Sequence, residues 1–64
     1  RPKVVALCTF GGQDSDDLSF EKGDELTILP DEGGDWFLAR DKNGRRGYIP
    51  AKYVRNKGGL VTKV

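Results

Sequence analysis

Turn-forming residues divide this chain of 64 residues into short runs, and their spacing constrains the fold more than any other feature. Glycine, proline and Asn-Gly pairs interrupt regular structure because they favour turns. They occur at Gly11-Gly12, Gly23, Pro30 with Gly33-Gly34, Asn43-Gly44 and Pro50. No window carries the i, i+3, i+4, i+7 apolar pattern for long enough to form a helix. The sequence therefore predicts an all-β domain.

The runs between these breakers have the character of strands. They are rich in β-branched and aromatic residues, and Leu26 and Ile28 fall on one face with Thr27 on the other. The predicted strands are Lys3–Cys8, Asp24–Leu29, Asp35–Arg40, Arg46–Pro50 and a last fragment at Tyr53–Arg55. About five short strands with close turns predict a small, strongly bent antiparallel barrel.

Two turns can be predicted in detail. Asn43-Gly44 favours a tight hairpin with positive φ at both residues. In the turn Glu21–Asp24, Gly23 is expected to take the left-handed conformation. We place the barrel domain at residues 1–56 and a C-terminal linker at residues 57–64. The predicted core consists of Val4, Ala6, Leu18, Phe20, Leu26, Ile28, Ala39, Ile49 and Val54.

Composition and length argue against an enzyme. A single domain of this size buries only roughly 60% of the surface of its unfolded chain, which leaves no room for a deep catalytic cleft. The chain has no histidine and one cysteine, Cys8. It therefore has no zinc site, no intrachain disulfide and no base to activate the thiol. We expect no catalysis, cofactor or metal in this domain, although the parent chain can still be an enzyme.

Charge and hydropathy limit the classes of partner and the cellular locations that we expect for this domain. The net charge is +1, which gives no global attraction to nucleic acid or to anionic membranes. No apolar run approaches the ~20 residues that span a bilayer. The absence of a disulfide framework is typical of cytosolic chains, and we expect a cytoplasmic domain that is monomeric when isolated.

Several aromatic residues remain after the core is filled, and each lies beside a breaker or at a strand end. They are Phe10, Trp36, Tyr48 and Tyr53, accompanied by Pro50. We expect them at one edge of the barrel, next to a loop that carries Asp14, Asp16 and Asp17. Aromatic rings beside carboxylates suit a polyproline II peptide with a cationic group, because that helix is preformed and exposes its carbonyls.

Four sequence segments together resemble the Src homology 3 (SH3) domain from about Val4 to Arg55. They are ALCTF, DDLSFEKGDEL, the pair Asp35-Trp36, and GYIPAKYV. Their order and spacing are highly specific. The segment ARDKNGRRGYIP further resembles SH3 domains of cytoplasmic tyrosine kinases.

The resemblance implies a two-sheet barrel with a short 3-10 turn near Ala51–Tyr53. It further implies a long RT loop at Thr9–Gly23, an n-Src loop at Asp31–Gly34 and a distal hairpin at Asn43-Gly44. The family's groove binds Pro-x-x-Pro peptides, so the implied function is that of a non-catalytic interaction module in a larger signalling protein.

The resemblance also implies a role for each predicted site residue. One proline slot is walled by four residues: Phe10, Trp36, Pro50 and Tyr53. Tyr53 is expected to help form the second slot with Cys8, and Tyr48 to edge the groove. Trp36 is expected to separate the slots from a specificity pocket. There, Asp17 is expected to receive a ligand Arg or Lys, with Asp14 and Asp16 nearby.

Three positions depart from the family pattern. Cys8 replaces a tyrosine of the groove, and losing roughly 100 Å² of ring contact at roughly 25 cal/mol per Å² costs a kcal/mol or more. Phe10 lacks a hydroxyl, and Lys52 replaces an asparagine that hydrogen-bonds a ligand carbonyl. We therefore predict a one-sided groove with weak or unusual ligand preference. If Cys8 is exposed there, its thiol is open to modification; a buried small residue is the alternative.

Two other functions compete with peptide binding in trans. The domain could dock on a linker of its own chain. Small five-stranded barrels also read nucleic acid, and the basic C-terminal third and the exposed aromatics support that reading. The acidic loop beside the aromatic residues argues against it, because carboxylates repel phosphate.

Overall fold

The computed structural model describes residues 2–58, and they form five strands and one 3-10 turn. The elements are β1 Lys3–Ala6, β2 Glu25–Ile28, β3 Trp36–Arg40, β4 Arg46–Pro50, a 3-10 turn at Ala51–Tyr53, and β5 Val54–Asn56. The predicted strands and the 3-10 turn are confirmed, with strand ends that differ by one or two residues. Most of the predicted linker, from residue 59 onward, lies outside the described residues.

The strands form one continuous antiparallel sheet in the order β4-β3-β2-β1-β5. Strands adjacent in sequence pair from β1 to β4, and β5 returns to pair with β1, where Val4 lies opposite Asn56. Backbone hydrogen bonds therefore join all five strands into one sheet, where two packed sheets were expected. Beyond β5, the Lys57 N–H still donates to the Lys3 carbonyl at 2.9 Å.

The core matches most of the sequence-based prediction. Its members are Val4, Ala6, Leu18, Phe20, Leu26, Ala39 and Ile49. Ile28 and Val54, which were predicted to be buried, are half-buried and pack against this core from strand ends. Leu29 is buried instead, just beyond the end of β2, where its N–H donates to the Leu38 carbonyl at 2.8 Å.

Thr27 is buried although it lies on the outward side of β2. It pairs with Lys3 on one side and Arg40 on the other, and these two residues line a polar surface cleft together with Thr27. Long basic side chains can cover a small neighbour with their aliphatic stems while their charges stay in water. The outward face of a strand is therefore not always an exposed one.

One of the two predicted turns is confirmed and the other is corrected. Gly23 has φ of 91°, as expected, and Asp24 N–H donates to the Glu21 carbonyl at 3.0 Å. In the distal hairpin only Gly44 has positive φ, at 85°; no non-glycine residue among residues 2–58 has positive φ. The prediction of positive φ at Asn43 is therefore wrong.

The side chain of Asp41 explains the geometry of the distal hairpin. Its Oδ1 accepts the backbone N–H groups of Asn43 and Arg45, both at 2.9 Å, and its Oδ2 accepts Arg45 Nε–H at 3.2 Å. Partial burial acts to raise the pKa of Asp41, but the backbone N–H groups of Arg45 and Asn43, together with the charge and side-chain hydrogen bond of Arg45, outweigh it and lower the pKa. This carboxylate holds a turn that needs only one left-handed residue.

Candidate functional site: an aromatic groove beside an acidic loop

The two-residue period of β3 and β4 separates the core from the candidate site. In the register of this pair, Phe37 lies opposite Ile49, and both side chains belong to the core side. Trp36 lies opposite Pro50, and Tyr48 lies two residues before Pro50 on the same side. Trp36 is 44% exposed and Tyr48 is 40% exposed, so this face presents rings to solvent.

Phe10 connects these exposed rings to the rest of the domain. Its ring centroid lies 6.1 Å from that of Trp36 and 5.7 Å from that of Tyr53, both in edge-to-face geometry. On its other side it lies 5.5 Å from the buried Phe20. Such spacings are those of attractive aromatic pairs. The four residues that the family resemblance implies for one slot therefore form a connected group: Phe10, Trp36, Pro50 and Tyr53.

The RT loop (Thr9–Gly23) folds back on itself and lies against β4. At its base, Phe10 and Phe20 exchange backbone hydrogen bonds of 2.9 and 3.0 Å. Nearer its tip, Tyr48 N–H donates to the Asp16 carbonyl at 2.8 Å and Leu18 N–H donates to the Tyr48 carbonyl at 3.0 Å. The acidic residues are thus held beside Tyr48 by the backbone of an edge strand.

A glycine permits this close contact between loop and strand. A Cβ at Gly47 would lie 2.7 Å from the backbone nitrogen of Leu18 and 2.8 Å from the backbone oxygen of Asp16. Within the loop, a Cβ at Gly12 would overlap the side chain of Asp17. The spatial position of the acidic residues therefore depends on two positions where no side chain is tolerated.

The three loop aspartates differ in their surroundings. Asp17 is half-buried, and its Oδ2 accepts the backbone N–H groups of Gln13 at 3.1 Å and Asp14 at 3.2 Å. Asp14 and Asp16 are exposed. Within residues 2–58 the salt bridges are Arg45 with Asp41 and Lys57 with Glu25, so none of the three carboxylates has a cationic partner in the domain.

A cleft of about 590 Å³ lies beside Trp36. It is lined by Asp35, Trp36, Pro50, Ala51 and Lys52. Ala51 N–H donates to the Asp35 carbonyl at 2.9 Å, which ties the 3-10 turn to the start of β3. Asp35 and Ala51 were absent from the predicted site, and Lys52 entered the prediction only as a departure from the family pattern; their positions next to Trp36 and Pro50 were the available signal.

Cys8 is an exposed free thiol, so the alternative of a buried small residue is wrong. The N–H of its neighbour Leu7 donates to the Tyr53 carbonyl at 2.7 Å, and Leu7 is 47% exposed. This places Cys8 beside the backbone of Tyr53.

Residues 2–58 contain no group of three or more potential metal ligands and no helix able to cross a membrane.

Comparison with known proteins identifies the family. The SH3 domain model matches residues 5–51. Over 55 residues, or 83% of this chain, the sequence is 53% identical to LAS seventeen-binding protein 3 of Saccharomyces cerevisiae. Over 84% of the chain it is 48% identical to Protein YSC84 of the same yeast. In each case the matched region is 12% of the relative's length.

Solved structures agree with the sequence relatives. The C-terminal SH3 domain of myosin IB from Entamoeba histolytica has a TM-score of 0.79 and 36% identity, with 86% of this chain and 90% of that chain covered. The same domain has also been solved bound to an EhFP10(GEF) peptide, with a TM-score of 0.80. CED-2 matches with a TM-score of 0.84 and 38% identity, over 89% of this chain and 34% of that chain.

The fold, the family match and these relatives lead to one conclusion. SH3 domains are non-catalytic protein-interaction modules that bind proline-rich peptides, and this chain belongs to the SH3 family.

Proposed function

We propose that this domain binds Pro-x-x-Pro peptides flanked by Arg or Lys, in the groove formed by Phe10, Trp36, Pro50 and Tyr53. The observation that carries the proposal is the position of the Phe10 ring, which contacts both Trp36 and Tyr53 while the acidic loop lies against the adjacent Tyr48. A polyproline II ligand loses little conformational entropy on docking, so shallow aromatic contacts suffice for binding.

In this proposal the ligand cation contacts the loop carboxylates. Asp14 and Asp16 are exposed, and the Oδ1 of Asp17 is not used by the two loop hydrogen bonds. An Arg guanidinium can donate to several carboxylates at once through its planar fork. Because the contact is solvent-exposed, it orients the ligand more than it tightens binding.

We further propose that the groove is one-sided. The half built from Phe10 and Trp36 has interlocking rings, whereas the other half has the small, exposed thiol of Cys8 beside Tyr53. The missing ring removes apolar contact worth roughly a kcal/mol or more. Binding by standard peptides is then weak, with most of the contact on the Trp36 side.

An NMR titration tests both proposals. The expected result is that an Arg-flanked Pro-x-x-Pro peptide shifts the amides of the RT loop and of Trp36, with small shifts near Cys8. Trp36→Ala should abolish the shifts, while Lys42→Gln, an exposed change in the distal hairpin, should preserve them. No binding at any peptide concentration would reject the function. Micromolar binding with equal shifts at both slots would reject only the one-sided groove.

The cellular context is a separate proposal. We propose a cytoplasmic signalling protein as the parent, with the groove used in cis or in trans and the isolated domain monomeric. The predicted tyrosine-kinase parent stays a prediction, since the relatives described above carry other names. Comparing peptide affinity in the isolated domain and in the full-length protein separates the two modes, because an internal ligand lowers the apparent affinity of the longer protein.

A further inference from the structure

Lys52 introduces a positive charge into the cleft beside Trp36. Its side chain lines this cleft together with Trp36 and Pro50, and it is exposed. It is the middle residue of the 3-10 turn, which is fixed at both ends: Ala51 N–H donates to the Asp35 carbonyl, and Val54 N–H donates to the Ala51 carbonyl. The backbone that carries Lys52 is therefore held in place against β3.

The Lys52 ammonium group has no carboxylate within salt-bridge distance among residues 2–58. Asp35 lines the same cleft and its backbone carbonyl accepts Ala51 N–H, but its carboxylate forms no salt bridge with Lys52. Lys52 is exposed and lines the cleft, so a strongly hydrated ammonium group with three N–H donors is available to a ligand there.

The charges around the groove are separated. The RT loop carries Asp14, Asp16 and Asp17 and contacts β4 at Tyr48, in the middle of the strand, whereas Lys52 lies in the 3-10 turn that follows Pro50. A cation on the ligand is attracted to the loop and repelled from the 3-10 turn. A carboxylate on the ligand experiences the reverse.

We propose that Lys52 is a specificity-determining residue that selects proline-rich peptides with an Asp or Glu side chain in the segment crossing the Trp36–Lys52 cleft. The inference rests on the proposed peptide-binding function and specifies its ligand. The preferred peptide carries a cation for the loop and a carboxylate for Lys52, so its charges are complementary to the groove from end to end.

A peptide scan tests this inference. An Arg-flanked Pro-x-x-Pro peptide is prepared with Glu or Gln at each non-proline position, and its affinity is measured by fluorescence anisotropy. At one position or at adjacent ones, the Glu peptide should bind about two- to fivefold more tightly than the Gln peptide, as an exposed ion pair allows. Added salt should reduce this ratio toward one.

Variants assign the effect to Lys52. Lys52→Gln should bring the Glu-to-Gln ratio to one without lowering the melting temperature, because the side chain is exposed. Lys52→Glu should reverse the preference, so that a Lys peptide binds more tightly than the Gln peptide at the same position. Lys57→Gln, which removes an exposed cation that lies outside the cleft and is paired with Glu25, should leave the ratio unchanged.

The outcomes separate the inference from the proposed function. Equal binding of Glu and Gln peptides at every position overturns the inference and leaves peptide binding intact. A Glu preference that survives in Lys52→Gln also overturns it, because another cation is then responsible. Failure of every peptide to bind overturns both the inference and the proposed function.

Discussion

The RT loop and the distal hairpin both use an aspartate to organise their backbone, but they leave that aspartate in different states. In the hairpin, both oxygens of Asp41 are occupied by N–H groups of Asn43 and Arg45, and its side chain is only 13% exposed. In the RT loop, Asp17 uses only Oδ2 for two backbone N–H groups. An aspartate in a turn is thus a purely structural group in one place and retains acceptor capacity for a ligand in the other.

The most disruptive test of this comparison is Gly47→Ala. The added methyl group would overlap the backbone of Asp16 and Leu18, so the RT loop must leave β4 or the strand must shift. We expect a loss of about 3 kcal/mol in the free energy of unfolding, at the upper end of the cost of overpacking. Urea denaturation measures it. Gly11→Ala is the matched control, since nothing lies within 4 Å of its added Cβ, and an equal loss in both variants would contradict the explanation.

Removing the hairpin carboxylate should have the next largest effect. Asp41→Ala leaves two turn N–H groups without their acceptor, and we expect a loss of about 1–2 kcal/mol in stability with peptide affinity unchanged. Asp41→Asn keeps a side-chain oxygen in the position of Oδ1 and should lose less. If the alanine variant is as stable as the wild type, Asp41 does not hold the turn.

In the RT loop the same pair of substitutions should separate structure from binding. Asp17→Asn keeps an acceptor for the N–H groups of Gln13 and Asp14, so stability should change by less than about 0.5 kcal/mol while affinity for an Arg-flanked peptide falls. Asp17→Ala should lower both, the stability by about 1 kcal/mol. Denaturation and anisotropy on the same samples measure the two effects, and unchanged affinity in Asp17→Asn would remove Asp17 from the cation site.

The acid dependence of stability should report on Asp41. Its pKa in the folded protein is lowered from 3.8, the ordinary value, so the folded state favours the charged form. The resulting stabilisation is complete above about pH 4 and is lost as the pH falls through the lower pKa of the folded state. Melting temperatures from pH 5 to 2 should therefore decline less in Asp41→Asn than in the wild type. Parallel declines would indicate that other carboxylates dominate.

The smallest effect is expected at the exposed pair of Glu25 and Lys57. The hydrogen bond and charge of Lys57 lower the pKa of Glu25, yet both side chains are about half exposed and screened by water. Glu25→Gln should leave the melting temperature within experimental error at neutral pH. A clear loss would show that this exposed pair contributes to stability more than its exposure allows.

The breakers and the two-residue period were sufficient to predict the strands, because both are local properties of the chain. The same local rule placed Trp36 and Phe37 on opposite faces, as observed. The prediction from the Asn-Gly pair failed at Asn43. There the side chain of Asp41, which accepts the N–H of Arg45 four residues later, determines the turn geometry instead of the intrinsic preference of Asn43.

The surface position of the ring residues could be predicted from the sequence, whereas the contacts of the charged residues could not. Rings that do not fit the core must lie at the surface, so elimination located Trp36 and Tyr48. Which carboxylate is tied to the backbone, and which residues face Trp36 across its cleft, depends on contacts between distant segments. Asp17 and Lys52 could therefore be named from the sequence, but the hydrogen bonds of the first and the cleft of the second could not.

The ring of Phe10 packs against the buried Phe20 and against the rings of Trp36 and Tyr53, so the proposed peptide-binding surface is packed directly on the core. A peptide held by Trp36 and Tyr53 is then coupled to the same cooperative unit that unfolds globally. Saturating ligand should slow hydrogen exchange at the centre of β1 and β2 as much as at the groove, because it stabilises the whole native state relative to the unfolded one. Binding in this domain would therefore be visible from its most deeply protected amides.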